Sequence, residues 1–239
     1  IISAIFINNI NFTYQNNYMP KTNPLVKICG LTSEEQALQV AKLGANAIGI
    51  ISVKESPRYV SAEIKKKIFK TLENFHPKID RVTVVQNCPI DLIIKNFLGN
   101  PSETIIQLHG DEDIDYCKKI REKIPYIGLW KAFRIKTEKD IDQIKPFEDF
   151  VDAILLDSWN EKTYGGSGKK IKSTYLKNLK FSKPWWLAGG ISIKWINEIL
   201  TDIKPDGLDI SSSIEISPGL KDIKKTEDLF NFLKNISNY

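Results

Sequence analysis

From residue 25 onward, short β-branched apolar runs alternate with longer stretches whose apolar positions recur at helical spacing, and the alternation repeats eight times. The runs predict strands at 25–28 (LVKI), 46–51 (NAIGII), 81–86 (RVTVVQ), 104–109 (TIIQLH), 126–133 (YIGLWKAF), 152–157 (DAILLD), 184–188 (PWWLA) and 206–210 (DGLDI). Helices are predicted between and after them, at 33–44, 61–75, 89–99, 111–124, 137–147, 171–179, 192–203 and 226–236. The first helix shows the expected punctuation, with Ser33 as a cap, acids in the opening turn and Gly44 as the stop. Eight βα units in about 215 residues, with no linker between them, predict one (β/α)8 barrel; a doubly wound sheet uses fewer strands and leaves two open edges. The barrel domain is therefore placed at 25–239.

The first 24 residues break this pattern. They are rich in asparagine and carry neither the basic region and apolar core of a secretory signal nor the arginines of a transit peptide. They read as an N-terminal extension outside the packed domain, and Met19, the chain's one methionine, is a candidate for the natural start.

Composition narrows the function classes. At 239 residues and 42% hydrophobic the chain can bury a full core. The net charge of +5 comes from lysines spread over helical faces without interleaved aromatics, which reads as solvated surface and argues against a nucleic-acid partner. No apolar run approaches the roughly 18 residues of a membrane span, so no membrane partner is expected. The cysteines Cys29, Cys88 and Cys117 are odd in number and form no CxxC pair, which disfavours a disulfide framework and a zinc site and suits a reducing, cytoplasmic setting.

In a (β/α)8 barrel the active site forms at the C-terminal strand ends, and that is where the chemistry of this sequence collects. Strand one ends in Cys29. Arg58 follows strand two, His109 ends strand four, and Asp157 ends strand six ahead of the glycine-rich run GGSGK at 165–169. Strand seven leads to Gly189 and Gly190, and strand eight carries Asp209 and leads to Ser211 and Ser212. Paired glycines opening a helix beside paired serines suit a phosphate, and barrels often hold one after strands seven and eight. A small phosphorylated substrate is expected.

Taken together, KICGLT, SPRYVS, QLHGDE, LLDS with GGSGK, LAGGIS and GLDISSSIEISPGLKD resemble the phosphoribosylanthranilate isomerase family of tryptophan biosynthesis over residues 25 to about 236. The resemblance implies a (β/α)8 barrel that carries out an Amadori rearrangement without cofactor or metal. It implies Cys29 as general base and Asp157 as general acid. It also implies that Arg58 meets the anthranilate carboxylate, that His109 and Asp209 line the pocket around the ring and ribose, and that Gly189, Gly190, Ser211 and Ser212 hold the phosphate. Gly165, Gly166, Ser167, Gly168 and Lys169 would form a mobile cover, and the assembly would be a monomer or homodimer. Basic groups near Cys29, such as Arg58 or a loop lysine, are expected to lower its pKa. The sequence departs from the family pattern in KIKSTY after the glycine-rich run and in Gln86, where an apolar residue is usual. Two alternatives remain at this point: another phosphosugar isomerase or epimerase barrel, disfavoured by a cysteine where those use metal ligands or an acid, and a catalytically silent phosphate-binding barrel acting as a sensor or scaffold.

Overall fold

The computed structural model describes residues 24–158 and 170–236. Eight parallel strands close into a barrel in chain order: β1 (Leu25–Cys29), β2 (Ala47–Ile51), β3 (Asp80–Val85), β4 (Ile105–Leu108), β5 (Gly128–Ile135), β6 (Ala153–Ser158), β7 (Trp185–Leu187) and β8 (Gly207–Ile210), with β8 paired back on β1. The helices are α1 (Glu34–Leu43), α2 (Ala62–Phe75), α3 (Ile90–Leu98), α4 (Ile114–Lys123), α5 (Lys139–Asp142), α6 (Ser173–Leu176), α7 (Ile193–Glu198) and α8 (Ile223–Ile236). No helix among the described residues is long and apolar enough to cross a membrane.

Each strand has two apolar faces because each has two apolar neighbours. One face joins the layer between strands and helices: Ile28, Ile48, Ile50, Ile106, Leu108, Ile154, Leu156 and Leu208 pack there with helical residues such as Val40, Ile68 and Leu72. The other face fills the barrel with Ala47, Val82, Ile105, Trp130, Leu155 and Trp186. Trp130 and Trp186 meet across the interior with ring centroids 4.8 Å apart. Gly207 makes room for this pair, since a Cβ there would lie 2.2 Å from the Trp186 ring. Trp185 points the other way, into the outer layer. With a period of two, the same inward register that holds Leu25, Ile105 and Leu155 passes through Lys27 to Cys29, through Gln107 to His109, and onward to Asp157. The barrel core is thus apolar in its lower part and polar at its mouth.

The second half of the helical layer is more broken than its periodicity predicts. The helix expected over 137–147 is one turn, α5, followed by a 3₁₀ turn at Lys145–Phe147, because Pro146 cannot supply the next backbone donor. The helix expected over 171–179 shortens to α6, and Asn178 then adopts a left-handed φ of 63°. The one expected over 192–203 gives way after Glu198 to a π-helical turn, Ile199–Ile203, that ends on Lys204 at φ 54°. Helix α4 starts three residues later than predicted, with Asp113 as its cap, because Glu112 turns inward to accept bonds from the backbone N–H groups of Asn87 (2.7 Å) and Gly110 (2.9 Å). A two-stranded ribbon, β9 (Glu215–Ser217) and β10 (Leu220–Lys221), fills the connection between β8 and α8 and was not predicted.

Candidate active site

A cavity of about 440 Å³ opens at the C-terminal mouth of the barrel, and Cys29, Arg58, His109, Asp157, Asp209 and the β7 and β8 loops all line it. The strand ends are brought together because the barrel closes: Lys27 and Asp209, 182 residues apart, become direct neighbours between β1 and β8.

Cys29 is buried, and the Sγ lies against the backbone of Gly49 on the adjoining strand β2, where a Cβ would come within 2.7 Å of it. Burial pushes the thiol above its ordinary pKa, while Lys27 and Lys221 pull it down and Asp209 pushes it up. The expected lowering is therefore not met, because desolvation outweighs the nearby cations. The cations that pull it down are Lys27 on the same strand and Lys221 on β10, and Arg58 is also coupled to the thiol.

Asp157 is equally buried, three strands round the barrel from β1. Its Oδ1 accepts from the Ser158 N–H at 2.8 Å, and its Oδ2 lies 3.2 Å from His109 Nε2. The other ring nitrogen of His109 sits 3.1 Å from Gln107 Nε2. With that amide nitrogen donating to Nδ1, the proton of a neutral His109 is on Nε2 and points at the carboxylate. Gly189 packs on the same carboxylate: a Cβ there would lie 2.9 Å from Asp157 Oδ1 and 2.5 Å from Ser158 Oγ. Its φ of 85°, followed by 64° at Gly190, carries the chain sharply over the acid.

Arg58 stands at the cavity wall, but its fork is already engaged. Nε and Nη2 bind Glu215 in a two-pronged pair at 2.9 and 2.6 Å, leaving Nη1 outside it. Glu215 also takes Lys221 Nζ at 2.7 Å and the Gly219 N–H at 3.1 Å. Burial pushes the Glu215 carboxyl up, yet these partners overcome it and hold it at about 2. Asp209 binds Lys27 Nζ through Oδ2 at 2.7 Å, and its Oδ1 is buried without a hydrogen-bond partner. Ser211 donates to the Cys29 carbonyl at 3.0 Å, and Ser212 opens a 3₁₀ turn, Ser212–Ile214. Gln86, directly after β3, also lines the cavity. Gly165, Gly166, Ser167, Gly168 and Lys169, expected as the cover, lie outside the described residues. No set of three or more His, Cys, Asp or Glu side chains among the described residues is arranged to hold a metal ion.

Several residues of this site escaped the sequence reading: Lys27, Gln107, Glu215 and Lys221. For Lys27 and Gln107 a signal was available, a polar residue at an inward position of an otherwise apolar strand. Glu215 and Lys221 fall within the run GLDISSSIEISPGLKD, but the ribbon that carries them is irregular, so no periodicity shows that they meet.

The family model for N-(5'-phosphoribosyl)anthranilate (PRA) isomerase matches residues 26–232. The chain belongs to this family. N-(5'-phosphoribosyl)anthranilate isomerase of Crocosphaera subtropica is 38% identical over 212 residues, covering 89% of this chain and 99% of the relative. Among solved structures, the phosphoribosyl anthranilate isomerase of Thermus thermophilus superposes with a TM-score of 0.77 at 28% identity, covering 89% of this chain and 99% of that one. A further family structure, in complex with reduced 1-(o-carboxyphenylamino)-1-deoxyribulose 5-phosphate, superposes with a TM-score of 0.73 at 28% identity over the same shares.

Proposed function

We propose that this barrel converts N-(5'-phosphoribosyl)anthranilate to 1-(2-carboxyphenylamino)-1-deoxyribulose 5-phosphate, with Asp157 as general acid and Cys29 as general base. The observation that carries the reading is that a buried carboxyl and a buried thiol, on β6 and β1, line one cavity in a chain of this family. Asp157 protonates the furanose ring oxygen, and the ring opens to an iminium. Cys29 then removes the C2 proton, and the resulting enolamine tautomerises to the ketone. The proton lost at C2 and the one gained at the ring oxygen leave the substrate's composition unchanged, and exchange with solvent water returns a proton to Asp157 and removes the one on Cys29 before the next turnover.

The binding roles follow the cavity wall. Arg58, through the part of its fork outside the Glu215 pair, faces the anthranilate carboxylate. Asp209 Oδ1, buried and unpartnered, suits a sugar hydroxyl, and His109 lies beside the acid. Gly189, Gly190, Ser211 and Ser212 receive the phosphate. We place the enzyme in the cytoplasm, as a monomer or homodimer; the reading is supported by three unpaired cysteines among the described residues. The test is a fluorescence assay that follows consumption of phosphoribosylanthranilate generated in situ. Turnover reduced by at least about 10²-fold in Cys29→Ala and in Asp157→Asn is the expected result. A wild-type chain that binds the substrate without converting it would instead favour a silent phosphate-binding barrel.

A further inference from the structure

Lys27 is a buried cation that the reaction above does not use. It sits on β1 two residues before Cys29, so the strand's period of two turns both side chains into the barrel. Both press on the same spot of β2: a Cβ at Gly49 would lie 2.7 Å from Cys29 Sγ, 3.0 Å from Lys27 Cε and 3.1 Å from Lys27 Nζ. The absent side chain of Gly49 is what lets thiol and ammonium share one notch. On the other side, β8 offers Asp209, whose Oδ2 holds the ammonium at 2.7 Å. Lys27 is completely buried, and a cation so placed needs an anion to remain charged.

Resting on the reading of Cys29 as the base, we infer that Lys27 is a positioning residue: its ammonium, anchored by Asp209, is the counter-charge that lets the buried Cys29 thiol ionise. A bare thiolate in this interior would be strongly disfavoured by lost solvation. Among the described residues, four charged groups face the thiol: Lys27 from β1, Asp209 from β8, Lys221 from β10, and Arg58 from the connection after β2. Lys221 and Arg58 are both drawn to Glu215. Lys27 shares the thiol's notch and counts Cys29 among the groups that hold its own ammonium protonated. Asp209 then has two opposed effects, since it keeps Lys27 charged while repelling a neighbouring thiolate.

This division of charge makes a sign prediction that packing alone would not. The rate of Cys29 alkylation by iodoacetamide is followed against pH in the free enzyme, resolved by peptide mass spectrometry. Lys27→Met should move the midpoint upward by about one pH unit, about tenfold slower alkylation at pH 7. Asp209→Asn, which leaves the ammonium to the thiolate, should move it downward. Cys88 and Cys117 serve as controls whose profiles stay in place while the barrel is folded. Lys27→Met strands the Asp209 carboxylate and risks unfolding, so Lys27→Met/Asp209→Asn, which removes both charges, is compared with Asp209→Asn alone; the double variant should titrate about one unit higher. Coincident midpoints in that pair, or shifts of the same sign in the two single variants, would overturn the inference. The readout uses no substrate, so it stands apart from the product assay that tests the isomerase reading.

Discussion

At Cys29 the requirements of the proposed catalysis and of burial oppose each other. The proposed reaction needs the thiol ionised and the Asp157 carboxyl protonated at the same moment, whereas burial holds the thiol above its ordinary pKa. The pH dependence of kcat/KM for the free enzyme should therefore be a bell, since activity requires two groups in opposite states. In Asp157→Asn the alkaline limb should vanish, and the remaining activity should rise with pH until Cys29 is ionised. In Cys29→Ser the acidic limb assigned to the thiol should disappear. Both variants should lose at least about 10²-fold to 10⁴-fold in turnover while melting close to the wild type. Initial rates across pH 5 to 10 would decide this, and near-normal rates with both limbs intact would exclude these two residues as the titrating pair.

Among the elements, the β9–β10 ribbon links the cavity wall at Arg58 to the loop after β8. Glu215 ties Arg58, from the loop after β2, to Lys221 at the ribbon's far strand. In Glu215→Gln the fork of Arg58 loses its ionic anchor, and KM for the carboxylated substrate should rise on the order of tenfold with a smaller change in kcat. The same substitution reports on acid stability. A carboxyl held at about 2 in the folded state and near its ordinary value in the unfolded chain stabilises the fold above pH 4.5, and this contribution is lost as pH falls toward 2. Glu215→Gln should lack that acid slope in thermal unfolding. At the neighbouring loops, a bulky side chain at Gly190, already at φ 64°, or loss of both Ser211 and Ser212 should raise KM for the phosphorylated substrate; an unchanged KM would move the phosphate elsewhere. The strands feeding these loops were legible because both faces of each are apolar and period two identifies the inward set. The helices of the second half were less so: Pro146 removes a backbone donor from one, a second stops at Leu176 ahead of the left-handed Asn178, and a third passes into a π-helical turn after Glu198, although the apolar spacing of each continues.

Across the whole molecule, the two ends of the barrel differ in what they ask of buried charge. At the mouth, Lys27, Asp209, Asp157 and His109 are held in pairs. At the opposite end Asp80, the first residue of β3, has its carboxyl pushed up by burial to about 6, with Arg81 opposing only in part. A raised carboxyl binds its proton more tightly in the folded state, so its stabilising contribution is complete below about pH 4 and is lost as pH rises through 6. Asp80→Asn should match the wild type near pH 4 and exceed it by on the order of 1 kcal/mol at pH 7, checked by thermal unfolding at the two values. What the sequence by itself determined is the eightfold alternation, the closed barrel it requires, and the collection of Cys29, Asp157 and the glycine and serine pairs at strand ends, because periodicity and turn chemistry act over a few residues. Only the tertiary structure decided which charges meet there. Lys27 finds Asp209 only once β8 closes on β1, and Arg58 finds Glu215 only once the ribbon folds over the mouth. The pKa of the thiol depends on those partners and on its burial, and both arise from contacts between segments far apart in the chain.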